Sequence, residues 1–289
     1  RMRLVGSEMC IRDRWCIRNL NFLGQFDRSV ELAENMISLP RRAKFKEGDD
    51  KEKKDDAVYE PRGSSWQHGR QRLRDTLVRF EQWNTLIEES ENGILTADEA
   101  SIRQRDVNRF LGIAKFETGD REGASQHLAA LQFILDEKTG KRDSAVEKAR
   151  TKATEAEKDE KGIKAATDAA AKPFRADIDT YQKLVNELKV YEALTAEPQQ
   201  LDIAKKLLPR LKDLTKWRHA NLWHRAGDEV QALKLANEAV NAGKNEVLPL
   251  AMKAKLLHAY SKEKEARETF DSLRKVAALA DLDLSLIHI

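Results

Sequence analysis

A chain of 289 residues with 35% charged and 6% aromatic side chains is poorly supplied for one large compact core and is expected to form an extended helical assembly. No run approaches the roughly 20 apolar residues that span a bilayer. Cys10 and Cys16 are too few for a disulfide framework or a Cys-rich metal site. The formal charge of +3 would by itself point to an anionic partner, but its source is local.

That source is the first segment of the chain. Residues 1–14, RMRLVGSEMCIRDR, and residues 284–289, LSLIHI, resemble the two ends of a translated library adapter, so the protein proper is expected over residues 15–283, cut at both ends. The first tag carries four arginines and two acidic residues, and without it the balance falls to +1. This removes the charge argument for nucleic acid. The remainder reads as soluble, with cytoplasm and periplasm both open because a leader peptide would be lost with the N-terminus.

Residues 15–40 read as a partial helical repeat: Ile17, Leu20 and Phe22 precede Gly24, and Val30, Ala33, Met36 and Ile37 precede Pro40. Residues 41–62, with KEGDDKEKKDD at their centre, hold too few apolar groups to offset ordering entropy and are expected to be a solvated loop. Residues 63–136 carry helical repeats. The first is a hairpin with Leu73, Leu77, Phe80, Trp83, Leu86 and Ile87 on one face. The second places Leu111, Gly112, Ala114 and Phe116 before Gly119, then Ala124, Leu128 and Leu131.

Residues 137–196 are rich in Ala, Lys and Glu. Val146, Ala149, Ala153, Ala156, Ile163 and Ala170 follow a loose heptad, and Pro173 precedes a further helix over 174–194. The expectation is a protruding antiparallel helical hairpin that breaks at Pro173. Residues 197–283 hold two more repeats. Ala232, Leu235, Ala236, Ala239 and Val240 of the first point inward, and Ala254, Leu257, Ala266, Phe270 and Leu273 of the second stand in corresponding positions, with Ala232 and Ala266 34 residues apart.

Small residues at such positions let two helices cross closely while bulky neighbours fill the grooves. Gly119 and Gly227 suit helix-ending turns with a left-handed backbone. The 34-residue period and the small-residue pattern resemble the tetratricopeptide repeat. That resemblance implies an all-α fold, an α-solenoid of helical hairpins with the long hairpin protruding from it. It further implies that the first helix of each pair lines a partner-binding surface, which in this register presents Trp217, Asn221, His224, Arg225, Lys255 and His258. Chaperone-binding members grip a peptide carboxylate with Lys and Asn; Trp217 and Arg109 stand where lysine is expected in two units.

No phosphate-binding glycine loop, His-Glu-x-x-His, nucleophile elbow or paired-cysteine motif occurs, so no catalytic, cofactor or metal residue is assigned. His224 and His258 share equivalent repeat positions, but two ligands fall short of the three or four a metal centre needs. Cys16 lies in an apolar helical pattern and is expected to pack as a small hydrophobe. Trp66, Trp83 and Trp223 are expected to be packing anchors, with Trp217 facing the groove.

Three further stretches, ENMISLPRRAKF, GRQRLRDTLVRFEQWNTLI and KNEVLPLAMKAKLLHAY followed by FDSLRKVAALADLD, are similar in order to the helical N-terminal region of large bacterial redoxin-domain proteins of the thiol-peroxidase type. The resemblance implies a catalytic cysteine and thioredoxin-like sheet beyond residue 283, and it transfers no active-site residue to this chain. Two expectations follow: a non-catalytic scaffold for a protein or peptide partner, without nucleic acid, membrane span or cofactor, or an accessory module of a thiol-dependent redoxin.

Overall fold

A computed structural model describes residues 5–39, 64–98, 102–243 and 245–281. The loop expected at 41–62 and the tail at 284–289 lie outside these residues. The described residues are all-α, with no strand: α1 (Val5–Leu23), α2 (Phe26–Ser38), α3 (Ser65–Arg79), α4 (Trp83–Glu91), α5 (Gln104–Thr118), α6 (Arg121–Glu155), α7 (Glu160–Thr195), α8 (Leu201–Leu207), α9 (Lys216–Arg225), α10 (Glu229–Ala242), α11 (Val247–Ala259) and α12 (Glu263–Val276). Residues 5–14, which lie in the segment expected to be a tag, belong to α1. The chain divides into two compact units, one formed by the stretches up to Val107 and from Leu214 onward, the other by Asn108–Asp213.

In the first unit the helices pair as antiparallel hairpins. Gly24 and Gly227 take φ of 76° and 74° at the α1–α2 and α9–α10 turns, where a side chain would clash with the backbone. Asp228 then caps α10 by accepting the Gln231 N–H at 2.9 Å, which satisfies one of the open donors of the first turn. The core of the N-terminal hairpins is Ile17, Ala33, Met36, Leu73, Leu77 and Leu86, each 1% exposed or less. Each large side chain so buried contributes about 1.5–3 kcal/mol. Gly69 on α3 faces the α2 backbone so closely that a Cβ would lie 2.7 Å from the Ala33 carbonyl oxygen.

Polar ties join the two stretches of this unit. Arg218 of α9 donates through Nη2 to the Val78 carbonyl at 3.0 Å and lies over the Trp83 ring at 5.1 Å. Arg79 of α3 donates to Glu246 Oε2 at 2.6 Å. Asp281 closes onto the α1–α2 turn: its N–H donates to the Gly24 carbonyl at 3.1 Å, and its carboxylate accepts the Asp27 N–H at 2.8 Å. That carboxylate also complements the positive end of α2.

The second unit is built on α6 and α7, of 35 and 36 residues, each about 50 Å long. Their buried side chains concentrate at Ala124–Leu135 and Val185–Leu194, with Ala153 buried further out. Gly112 of α5 lets Leu188 of α7 approach, since a Cβ there would meet both Leu188 methyls at 2.9 Å. The long hairpin is present, but its limits differ from expectation. Residue 136 is no boundary, because α6 runs unbroken through it, and the turn falls at residues 156–159, where Asp159 caps α7 by accepting the Gly162 N–H at 2.8 Å. Pro173 lies inside α7. Both Pro173 and Ala169 are exposed, so water can take the Ala169 carbonyl that proline leaves without a donor. Ala156, expected on the heptad seam, is exposed at the turn.

Two other expectations are corrected. Phe270 is 47% exposed rather than inward, and α12 instead buries Thr269 and Leu273. Cys16 is exposed on α1, because the apolar stripe of that helix turns Ile17 into the core.

Candidate partner-binding face

The face predicted from repeat register lies on α9 and α11, two helices in direct contact within the first unit. Both helices bury small side chains: Ala220 on α9 is fully buried, and Ala251 and Ala254 on α11 are 3% and 2% exposed. Asn221, His224 and Arg225 are half-buried on α9, and Lys255 and His258 are exposed on α11. Trp217 does not join them. It is 7% exposed, and its indole N–H is buried without a partner among the described residues. It packs into the core, and the face loses its expected aromatic.

His224 is engaged by Tyr260, two positions beyond His258. Nδ1 and Oη are 2.8 Å apart and the rings meet edge to face, with centroids 5.3 Å apart at 80°. Burial and then the nearby Lys255 ammonium hold the imidazole below its ordinary value. Burial, with Glu229 and Asp228 close by, pushes the phenol up. Both shifts favour the neutral forms, in which the phenol O–H can donate to Nδ1. Among the described residues no group of three or more His, Cys, Asp or Glu is placed to hold a metal ion.

The other sequence candidates have structural partners. Arg109 donates through Nε and Nη2 to Glu187 at 2.6 and 2.9 Å. Glu187 is 4% exposed, so this guanidinium offsets a buried carboxylate instead of offering a free grip for a ligand carboxylate. Trp223 donates its indole N–H to His219 Nε2 at 3.1 Å, and Trp66 and Trp83 lie under Arg70 and Arg218. The buried arginines Arg70 and Arg218 were not legible as core residues, since arginine is rarely placed there.

Three histidines give the protein a pH dependence. His68, His127 and His224 all fall below the ordinary 6.5, each first because of burial, reinforced by Arg14, Lys115 and Lys255 respectively. A depressed folded-state value means that the unfolded chain takes up protons first. The stabilising contribution is full above pH 6.5 and is lost as pH falls below it. Glu89, raised by burial, acts in the opposite sense. The denaturation midpoint is therefore expected to drop between about pH 7.5 and about pH 5.5, and to drop less when all three histidines are glutamine. An equal drop in that variant would refute the assignment.

No family model, curated protein or solved structure matches the chain. Among the described residues no helix is long and apolar enough to cross a membrane.

Proposed function

We propose that the protein is a non-catalytic helical-repeat scaffold that binds a protein or peptide partner on the face of α9 and α11. The observation that carries this reading is the side-by-side packing of the two helices, with Asn221, His224, Arg225, Lys255 and His258 on them. Repeat proteins spread affinity over such helix faces, not over a single pocket. Lys255 favours a segment carrying carboxylates, since complementary charge raises the encounter rate and fixes register. Asn221 adds a donor and an acceptor suited to a peptide group.

Capture of a partner by the immobilised chain, lost on changing Asn221, Arg225 and Lys255 to alanine with helical circular dichroism unchanged, is the expected result. Undiminished capture by that variant would reject this face.

A further inference from the structure

We propose an anion-binding site in the first unit, where Arg14 and Arg18 of α1 stand together with His68 and Arg72 of α3 and form a site for a phosphate group. The inference does not rest on the α9–α11 reading.

The two pairs share one spacing. Arg14 and Arg18, like His68 and Arg72, are four residues apart, which sets each pair on one face of its helix. The two helices are in contact, and Arg14 Nη1 lies 3.5 Å from His68 Nε2 across them. The electrostatics of the buried partners reflect the crowding. Burial lowers the Arg72 guanidinium from its ordinary value; Asp75 opposes this, and Arg14 and Arg18 lower it further. His68 is lowered by burial and then by Arg14, with Gln71 opposing and Arg72 adding to the fall.

Like charges at this spacing repel, and little offsets them. Among the described residues the one carboxylate within ion-pair distance of these four groups is Asp75, 4.0 Å from Arg72 Nη1. It already accepts from Arg74 Nη2 at 2.7 Å. A bound anion would supply the missing counter-charge. Arg18 is exposed, and the rings of Trp15 and Phe22 lie 5.4 and 5.3 Å from its guanidinium. Contact with a ring face takes up the flat side of a guanidinium and leaves its N–H edge to a ligand.

The number of forks narrows the ligand class. A guanidinium pairs its N–H groups with two oxygens of a carboxylate or a phosphate. Three guanidiniums exceed what one carboxylate can engage, whereas a tetrahedral phosphate group carries more oxygens and up to two charges. Arg14 falls in the stretch expected to be a tag; Arg18, His68 and Arg72 lie outside it and form the essential part.

The test is a titration of the 15N-labelled full chain with inorganic phosphate at physiological ionic strength, followed at the Nε–H signals of Arg18 and Arg72. The expected result is saturable shifts of both at millimolar phosphate, with acetate binding more weakly. Glycerol 3-phosphate as a second probe separates the sources: tighter binding of the ester assigns the site to a phosphomonoester, and tighter binding of the free ion to inorganic phosphate. Affinity should fall about tenfold in the Arg18→Gln, Arg72→Gln variant with helical circular dichroism unchanged, and stay the same in Arg267→Gln, Arg274→Gln, which removes two exposed arginines of α12. Absence of saturable shifts, acetate binding as tightly as phosphate, or an equal loss of affinity in both variants would each overturn the proposal.

Discussion

Replacing Arg70 with methionine is expected to lower the unfolding free energy of the first unit by about 3–5 kcal/mol. The side chain is 2% exposed. Its guanidinium closes the segment after α4: Nη2 donates to the Thr96 carbonyl at 2.6 Å, Nε to the Ile94 carbonyl and Nη1 to the Asp98 carboxylate. Its cationic carbon lies 4.3 Å from the centre of the Trp66 ring. Methionine keeps the apolar stem and removes the fork, leaving two carbonyls and a carboxylate without their donor. Asp98 retains 25% side-chain exposure, so water recovers part of the loss and the effect should fall toward the lower end. Lysine should rescue little, because one ammonium cannot replace three directed bonds. Urea denaturation followed by circular dichroism measures the change, and an unaltered midpoint in Arg70→Met would show that the clamp is not a stabilising element.

Gly69→Ala should cost about 1–3 kcal/mol, although alanine is the better helix former by about 1 kcal/mol. The added Cβ would lie 2.7 Å from the Ala33 carbonyl oxygen and 2.9 Å from the Ile37 nitrogen. Both are backbone atoms of α2, and neither can rotate away, so α2 and α3 would have to separate. Gly112→Ala provides the contrast. Its nearest atoms are the Leu188 methyls at 2.9 Å, which a rotamer change can displace, so it should cost less than Gly69→Ala. Gly140 on α6 meets nothing within 4 Å, and Gly140→Ala should stabilise by about 0.5–1 kcal/mol. Any other order of the three midpoints, measured in one denaturant series, would contradict the packing described for these helices.

The hairpins were legible because their signals are local. Gly119-Asp120 and Gly227-Asp228 each couple a glycine at positive φ, 91° and 74°, to an aspartate that caps the next helix by accepting an N–H at 2.9 Å. Periodic Ala and Leu then fix the buried face. The turn at 156–159 carried a weaker version of the same signal. Asp159 supplies the cap, but Glu157 rather than glycine takes the positive φ, at 49°, and Pro173 offered a stronger apparent break. What the sequence could not show was non-local. Nothing in the neighbourhood of Arg70, Arg79 or Arg218 announces a carbonyl or carboxylate 24 to 167 positions away. Nor does it reveal that Asp281 caps α2 near the other end of the chain.

The candidate partner-binding face was legible in part. Register placed Asn221, His224, Arg225, Lys255 and His258 on two neighbouring helices, because a 34-residue period repeats the same face. It misplaced Trp217, since periodicity gives the angle of a side chain around its helix and not what packs over it. Charge composition was also a poor guide, because most of the arginines that shape the first unit are committed to internal bonds.

The measurement that tests the scaffold reading most directly is photo-crosslinking of the full chain to its partner from a benzoyl-phenylalanine placed at Lys255. The control is the same group at Val230, which is 74% exposed on α10. Adducts formed from position 255 and not from position 230 are the predicted result. Adducts from position 230 alone, or equal yields from both, would contradict binding on the α9–α11 face.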